Sequence, residues 1–542
     1  MFVNFLFSVL LFFVPLSFAG TEPWAFFIFQ LVVSFIFVYL LFVNGKFKFT
    51  LPSLLINFIF FIFIVLAIIQ ILNHHSIVQQ KNLLPFTVSP YNTLKELNTI
   101  FTYMLFFIIV TQMFCRLEKI KKLLYLILAV SSFIMLIGLC FPKGEYVKFF
   151  LGIGNLGNFG PFINRNNAGV FLSITFFISL SLVLYNFLRY QKYLIENKKS
   201  EFAVTQIVNT TISLMLLISV ILTRSRGAML ATFISLFVFA YLYVYHLSRT
   251  PKQKIFKILI TFLIMMISSV IICRNIDAIN EYSQRTTGTS EQTRLKLYDM
   301  SFDILKDYPV TGIGFASFPI VTDKYLEEEL KAYPEYLHND WLELLLDIGY
   351  PIYAIFLLLV CIIVFLFLRR IKYLSDKKKI LFIGLFSACC SICIGSFVDF
   401  HFHIPANAVM FICCLGMLSS LSFHKDKKHF SFNNNFFVKL VLFLLMSWLL
   451  LCSFKNTVAW KYYVFSQNMP KQQEMEYLKK ATDISNNPRY LQIYIITLYN
   501  HCIADEKFMS ENRDYLKSLI YNYLKLYPYN REISKVYNNL NI

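Results

Sequence analysis

Apolar runs of roughly 17–25 residues follow one another along most of this chain, and short polar loops break them. Each run matches one bilayer crossing. The spacing predicts about thirteen spans, near 3–19, 24–43, 51–72, 99–115, 123–140, 168–188, 203–222, 228–246, 256–273, 345–368, 380–398, 404–423 and 436–454. The expected fold class is therefore an all-α polytopic integral membrane protein with about 12–13 transmembrane helices. It carries one large extracytoplasmic loop with amphipathic helices, and a helical C-terminal tail. Residues 1–455 read as the membrane domain, with the outer loop at 274–342, and 456–542 as a polar extracytoplasmic tail.

Composition excludes a soluble enzyme. Of the 542 residues, 57% are hydrophobic and 18% aromatic, with a mean hydropathy of +0.60, and no soluble core could bury that share. The net charge of +19 would fit a nucleic-acid partner, but its distribution does not. Lys and Arg concentrate in loops 46–48, 116–122, 189–199, 249–257, 369–379 and 425–428, which are every second loop. The positive-inside rule places these in the cytoplasm, with the N-terminus, and puts the alternate loops and the tail outside. The charge is a topology signal, with attraction to anionic membrane lipid as a secondary effect. The first run ends in Ser17-Phe18-Ala19, which has the form of a cleavage site, but it lacks a basic leading segment and reads as a retained first helix. The eleven cysteines lie mostly in apolar runs, where they pack as small apolar groups; no disulfide framework or metal site is expected.

Within the outer loop, Glu291 to Leu305 places Leu295, Phe302 and Leu305 among charges at near-helical spacing. This is an amphipathic helix lying on the membrane or capping the bundle. A two-glycine turn follows at 308–315, and a second helix is expected over 321–332. The tail ends two helical stretches in Pro/Asn turns, Leu478 to Pro488 and Leu524 to Asn530. The pattern resembles a degenerate tetratricopeptide-like pair, and a plain helical tail fits as well.

Polar islands carry the candidate chemistry. Arg165 stands in Asn164-Arg165-Asn166-Asn167, and Arg224 and Arg226 in Thr223-Arg224-Ser225-Arg226-Gly227. All three lie on the outer side, against the charge rule. Snorkelling to lipid phosphate is one explanation. Binding of a diphosphate is the other, since guanidinium forks match phosphate oxygens. Arg294 lies on the amphipathic helix. His338-Asn339-Asp340-Trp341 opens a span, and its imidazole can take a proton from a hydroxyl near neutral pH. Asp399-Phe400-His401-Phe402-His403 reads as a further polar wall rather than a metal site. Ionisable residues are scarce in the middle of the spans, which weakens a transporter reading.

In this order the islands resemble the O-antigen ligase family of membrane glycosyltransferases, relatives of the O-antigen polymerases and O-linked protein oligosaccharyltransferases. The matching segments are Phe162 to Ala168, Thr223 to Ala228, Arg294 ahead of Tyr308 to Phe315, and His338 to Glu343 before Gly349, within about 150–420. The resemblance implies a metal-independent, cofactor-free transfer at the outer face of a bacterial inner membrane. A glycan on undecaprenyl diphosphate would pass to an acceptor hydroxyl on lipid A–core, a polysaccharide or a protein. Arg226 or Arg224, with Arg294, would clamp the diphosphate, and Arg165 would line the site. His338 would be the general base or would orient the acceptor. Asn339, Asp340, Asp399 and His401 would form the acceptor side or wall, and the tail could recruit a protein partner. A flippase for lipid-linked oligosaccharide is the competing class.

Overall fold

The computed structural model describes the chain except residues 1, 44–45, 76–83, 142–144, 152–157, 191–198, 248–292, 326–333, 423–429, 434–435 and 542. Ten described helices are long and apolar enough to cross a membrane, and the shorter apolar helices Phe2–Leu16 and Pro405–Leu421 stand beside them. These account for every expected span except 256–273, which lies outside the described residues. The basic loops 189–199, 249–257 and 425–428 also fall wholly or largely outside them. The molecule is an all-α polytopic membrane protein, with one short antiparallel ribbon pairing Lys46–Phe49 with Phe430–Asn433. Both ribbon strands lie at or beside basic segments of the sequence.

Helix Arg165–Phe187 is the centre of the bundle: 83% of its most apolar window is buried. It packs on Lys199–Leu222, Arg226–Leu247 and Asp376–Gly395. In lipid, apolar surface gives helices no reason to associate, so close backbone approach and polar contacts must hold them. Both are present. Gly384 lies so close to Ser181 that a methyl group there would collide with it, and a methyl on Gly169 would sit 2.7 Å from the Ala228 Cβ. The Ser173 hydroxyl pairs with Ser391 at 2.6 Å and accepts from Thr232 at 2.7 Å, joining three helices. Elsewhere Asn98 links Gln30 to Ser453, which ties three more.

The helix opening at Asp340 is broken at Gly349, where φ is +72° and ψ is 167°. The break frees the carbonyls of Leu346 and Asp347, which accept from Ile313 N at 2.8 Å and Gly314 N at 3.2 Å. Pro309 O in turn accepts from Tyr350 N at 2.8 Å. The side chain of Gln70 bridges the same joint, donating to Asp347 O and accepting from Phe315 N. The glycine turn at 308–315 is thus a lock that seats the outer loop in the kinked helix.

Of the three apolar positions that the pattern of helix 293–307 indicated, Leu305 is buried and the other two are not. Leu297, Met300, Ile304, Leu305 and Tyr308 are buried, whereas Leu295 and Phe302 are exposed. These side chains join a second apolar core. Helices Lys471–Ile484, Pro488–Ala504, Glu506–Leu526 and Arg531–Asn541 share one apolar core with helix 293–307, helix Phe318–Tyr325, Leu337 and Leu346. The helix therefore caps the bundle and is itself covered by protein. Helix Phe318–Tyr325 corresponds to the start of the helix expected over 321–332, of which 326–332 lie outside the described residues. The membrane helix Phe436–Ser466 carries past residue 455, and its end packs Ala459 and Tyr463 against Ala481 and Tyr490 of the tail.

A methyl group at Gly349 would collide with the Val310 carbonyl, in a backbone region that only glycine adopts without strain. G349A is expected to cost about 2–4 kcal/mol. The check is a fluorescence-detected thermal melt in detergent, where an unchanged midpoint would refute the lock.

Candidate functional site

Asp399 sits in the loop between Asp376–Gly395 and Pro405–Leu421, and its side chain is 3% exposed. A buried carboxylate must be compensated, and three segments far apart in sequence do so. His338 Nδ1 lies 2.9 Å from Asp399 Oδ1. Asn166 donates its amide to Oδ2, and Arg294 Nη2 lies 3.5 Å from the same oxygen. Arg294 Nη1 also donates to the Val398 carbonyl at 3.0 Å. Burial alone would raise the Asp399 pKa. The His338 hydrogen bond and the charges of His401, His338 and Arg294 outweigh it and hold the group at about 2. A carboxylate so placed accepts a hydrogen bond from the Nδ1–H of a neutral His338, which leaves Nε2 as the unprotonated nitrogen.

His338 is held by its neighbours. Its backbone is left-handed, with φ +58°, a strained conformation for a non-glycine residue. Its carbonyl accepts from the Tyr298 hydroxyl at 3.1 Å. Asn339 caps the following helix by accepting from Leu342 N. Asp340 accepts from Phe402 N at 3.0 Å and donates its own N–H to Ser396 O at 2.9 Å. Trp341 donates its indole N–H to Cys393 O at 2.9 Å. So in the island His-Asn-Asp-Trp, Asn339 caps its own helix, Asp340 anchors the Asp399 loop, and Trp341 holds the end of the helix that leads into it. Asn339 and Asp340, expected on the acceptor side, have these anchoring contacts.

The arginines stand at helix starts. Asn164 caps Arg165–Phe187 by accepting from Asn166 N at 2.8 Å. Ser225 Oγ accepts from Ala228 N at 3.2 Å and caps Arg226–Leu247. In the Thr-Arg-Ser-Arg turn the hydroxyl residues Thr223 and Ser225 are buried and the arginines exposed. Arg224 has φ +55°. Arg224 and Arg226 are close enough to Arg165 for their charges to act on it. Two helix N-termini with their partial positive charge join these cations. The cluster adjoins the Asp399 loop twice: Asn166 bonds Asp399, and a methyl on Gly227 would lie 2.8 Å from Val398. All of the sequence-predicted residues thus gather around one loop.

His401 and His403 flank that loop with opposite characters. His401 is buried and pairs with Asn167 Oδ1 at 2.6 Å. Burial, reinforced by the Arg294 and His338 charges, outweighs Asp399 and lowers its pKa to about 4, so it is a neutral wall. For His403 burial acts the same way, but Glu343, Asp340 and Glu96 outweigh it and raise the group to about 10. Its Nε2 lies 3.4 Å from Glu343 Oε1 and 3.6 Å from Asp340 Oδ1. Among the described residues, no group of three His, Cys, Asp or Glu side chains is arranged to hold a metal ion.

Residues to which the sequence reading gave no role of their own are Asn166, Tyr298 and Gln70, and it did not pair His403 with Glu343. Asn166 lay inside a polar island, and Gln70 was a lone amide in an apolar run. Tyr298 gave no signal, because a tyrosine on an amphipathic helix is ordinary.

Residues 211–357 match the family model for O-antigen ligase. The segment includes Arg224, Arg226, Arg294 and His338, while Arg165, Asn166 and Asp399 lie outside it. No curated protein matches the chain.

The two histidines predict a stability maximum. A histidine held near 4 against an ordinary 6.5 contributes fully above about pH 6.5 and loses that contribution as pH falls toward 4, by up to about 3 kcal/mol. His403, raised to about 10, contributes below pH 6.5 and loses it as pH rises through 10. Thermal midpoints should fall on both sides. H401N should flatten the acid limb alone; an acid limb as steep as in wild type would contradict the assignment.

Proposed function

We infer, from the O-antigen ligase segment at 211–357, that this membrane protein transfers a glycan from a polyprenyl diphosphate, undecaprenyl diphosphate in bacteria, to an acceptor hydroxyl. The reaction would take place at the extracytoplasmic face of the inner membrane. The observation that carries this reading is the convergence on one loop of a His338–Asp399 pair and an arginine cluster.

Each part has a task in that reaction. His338 Nε2 takes the acceptor hydroxyl proton as oxygen attacks the anomeric carbon, while Asp399 holds the ring and stabilises the imidazolium that forms. The bond from the anomeric carbon to the diphosphate oxygen breaks, and negative charge grows on the leaving group. Arg165, Arg224 and Arg226, with two helix N-termini, are preorganised to receive it. Three guanidinium groups supply the positive charge that a divalent cation provides in other phosphate chemistry. Arg294 spends two nitrogens on Val398 and Asp399, so it fixes the loop and offers its remaining donors to the diphosphate. The acceptor hydroxyl belongs to lipid A–core, to a growing polysaccharide, as in a polymerase, or to a protein, as in an oligosaccharyltransferase. The ligase match favours the first.

The test supplies purified protein in lipid with an undecaprenyl-diphosphate glycan and a panel of the three acceptors, in EDTA. Wild type should glycosylate one acceptor. H338A and D399N should lower the rate by about 10²–10⁴, and R226A by about 10²–10³. Transfer that persists in H338A would remove the base from the mechanism. Lipid movement across the bilayer without product would favour a flippase.

A further inference from the structure

We propose that the C-terminal helices are a strap that holds Arg294 and His338 in register, latched by a buried hydrogen bond between Asn530 and Asp323. The proposal extends the functional reading to how its site is assembled, and it rests on that reading only for the activity arm of its test.

Both functional side chains stand next to anchors in the core that the tail completes. Leu297, three residues after Arg294, is 1% exposed, and Leu337, the residue before His338, is fully buried in the same core. The Tyr298 hydroxyl, on the same helix as Arg294, holds the His338 carbonyl. Movement of helix 293–307 therefore moves a charge partner of Asp399 and a support of the strained His338 together. The tail meets this core at helix Phe318–Tyr325, where Val321 and Asp323 stand beside Tyr527 and Asn530, and helix 293–307 belongs to the same core.

Tail and loop share an apolar core, crossed by the buried Asn530–Asp323 bond and the exposed Arg489–Glu335 pair, and a buried polar contact fixes register where apolar packing alone would let surfaces slide. Asn530 is 4% exposed and Asp323 7% exposed. Asn530 Nδ2 donates to Asp323 Oδ2 at 3.1 Å, while its Oδ1 accepts from Ile533 N at 3.1 Å and caps the last helix. N530D keeps the cap and sets two carboxylates face to face, which repel unless they share a proton.

The experiment uses the full-length protein with a protease site inserted at 467–470. At pH 8, N530D should release the tail to cleavage and speed hydrogen exchange at 293–307 and 334–341. It should also lower the transfer rate at least tenfold, with recovery toward pH 5 that wild type does not show. The exchanged pair D323N/N530D restores a donor and an acceptor and should restore all three. I520D, a charge in the shared core, releases the tail by a second route and should give the same exchange pattern. A cleavage-resistant N530D at pH 8 overturns the latch. A released tail with unchanged exchange at both segments overturns the strap. Exchange does not depend on catalysis, so an inactive wild type with these exchange changes would overturn glycan transfer and leave the strap standing.

Discussion

The site depends on one buried carboxylate. Asp399 is nearly inaccessible, and an isolated charge there would be costly enough to make the carboxylate take up a proton or to unfold the loop. Instead it is satisfied by an imidazole, a guanidinium and a carboxamide from three separate regions. Each partner is oriented as a consequence. The arrangement makes one group both a structural hub and the device that selects the His338 tautomer, so the loop cannot loosen without disturbing that imidazole.

The rest of the architecture serves that hub by fixing backbones that would otherwise be unsupported. The break at Gly349 would leave carbonyls unsatisfied near the membrane boundary, and the glycine turn at 308–315 fills them. Gly169 and Gly227 bring the two capped helix starts against each other and against Val398. The arginines are thereby held by short, capped turns rather than by long flexible loops. Preorganised cations of this kind stabilise developing charge without having to move when it appears.

The two histidines of one short loop show how environment, rather than residue type, sets charge. His401 faces an amide and a buried wall and stays neutral, whereas His403, two residues on, faces carboxylates and is a cation. The alternation places a neutral group beside the Asp399 cluster and a positive one among Asp340 and Glu343. The loop thus separates a cationic half of the site from an acidic one.

By itself the sequence determined the membrane class and nearly all described spans, and it offered the candidate residues that the structure brings together. Apolar runs of bilayer length and arginines stranded outside the basic loops are local signals, legible one segment at a time. The kink at Gly349 was half legible, as a glycine two residues before Pro351. Tertiary structure alone decided which polar residues touch. That Asp399 pairs with His338, that Asp340 holds Phe402, and that helix 293–307 turns Leu297 rather than Leu295 inward all depend on partners far away in the chain. The tail, read as a separate appendage, shares its core with the outer loop because each has an apolar face that neither could bury alone. Periodicity reports that a face exists; only the packed molecule chooses what covers it.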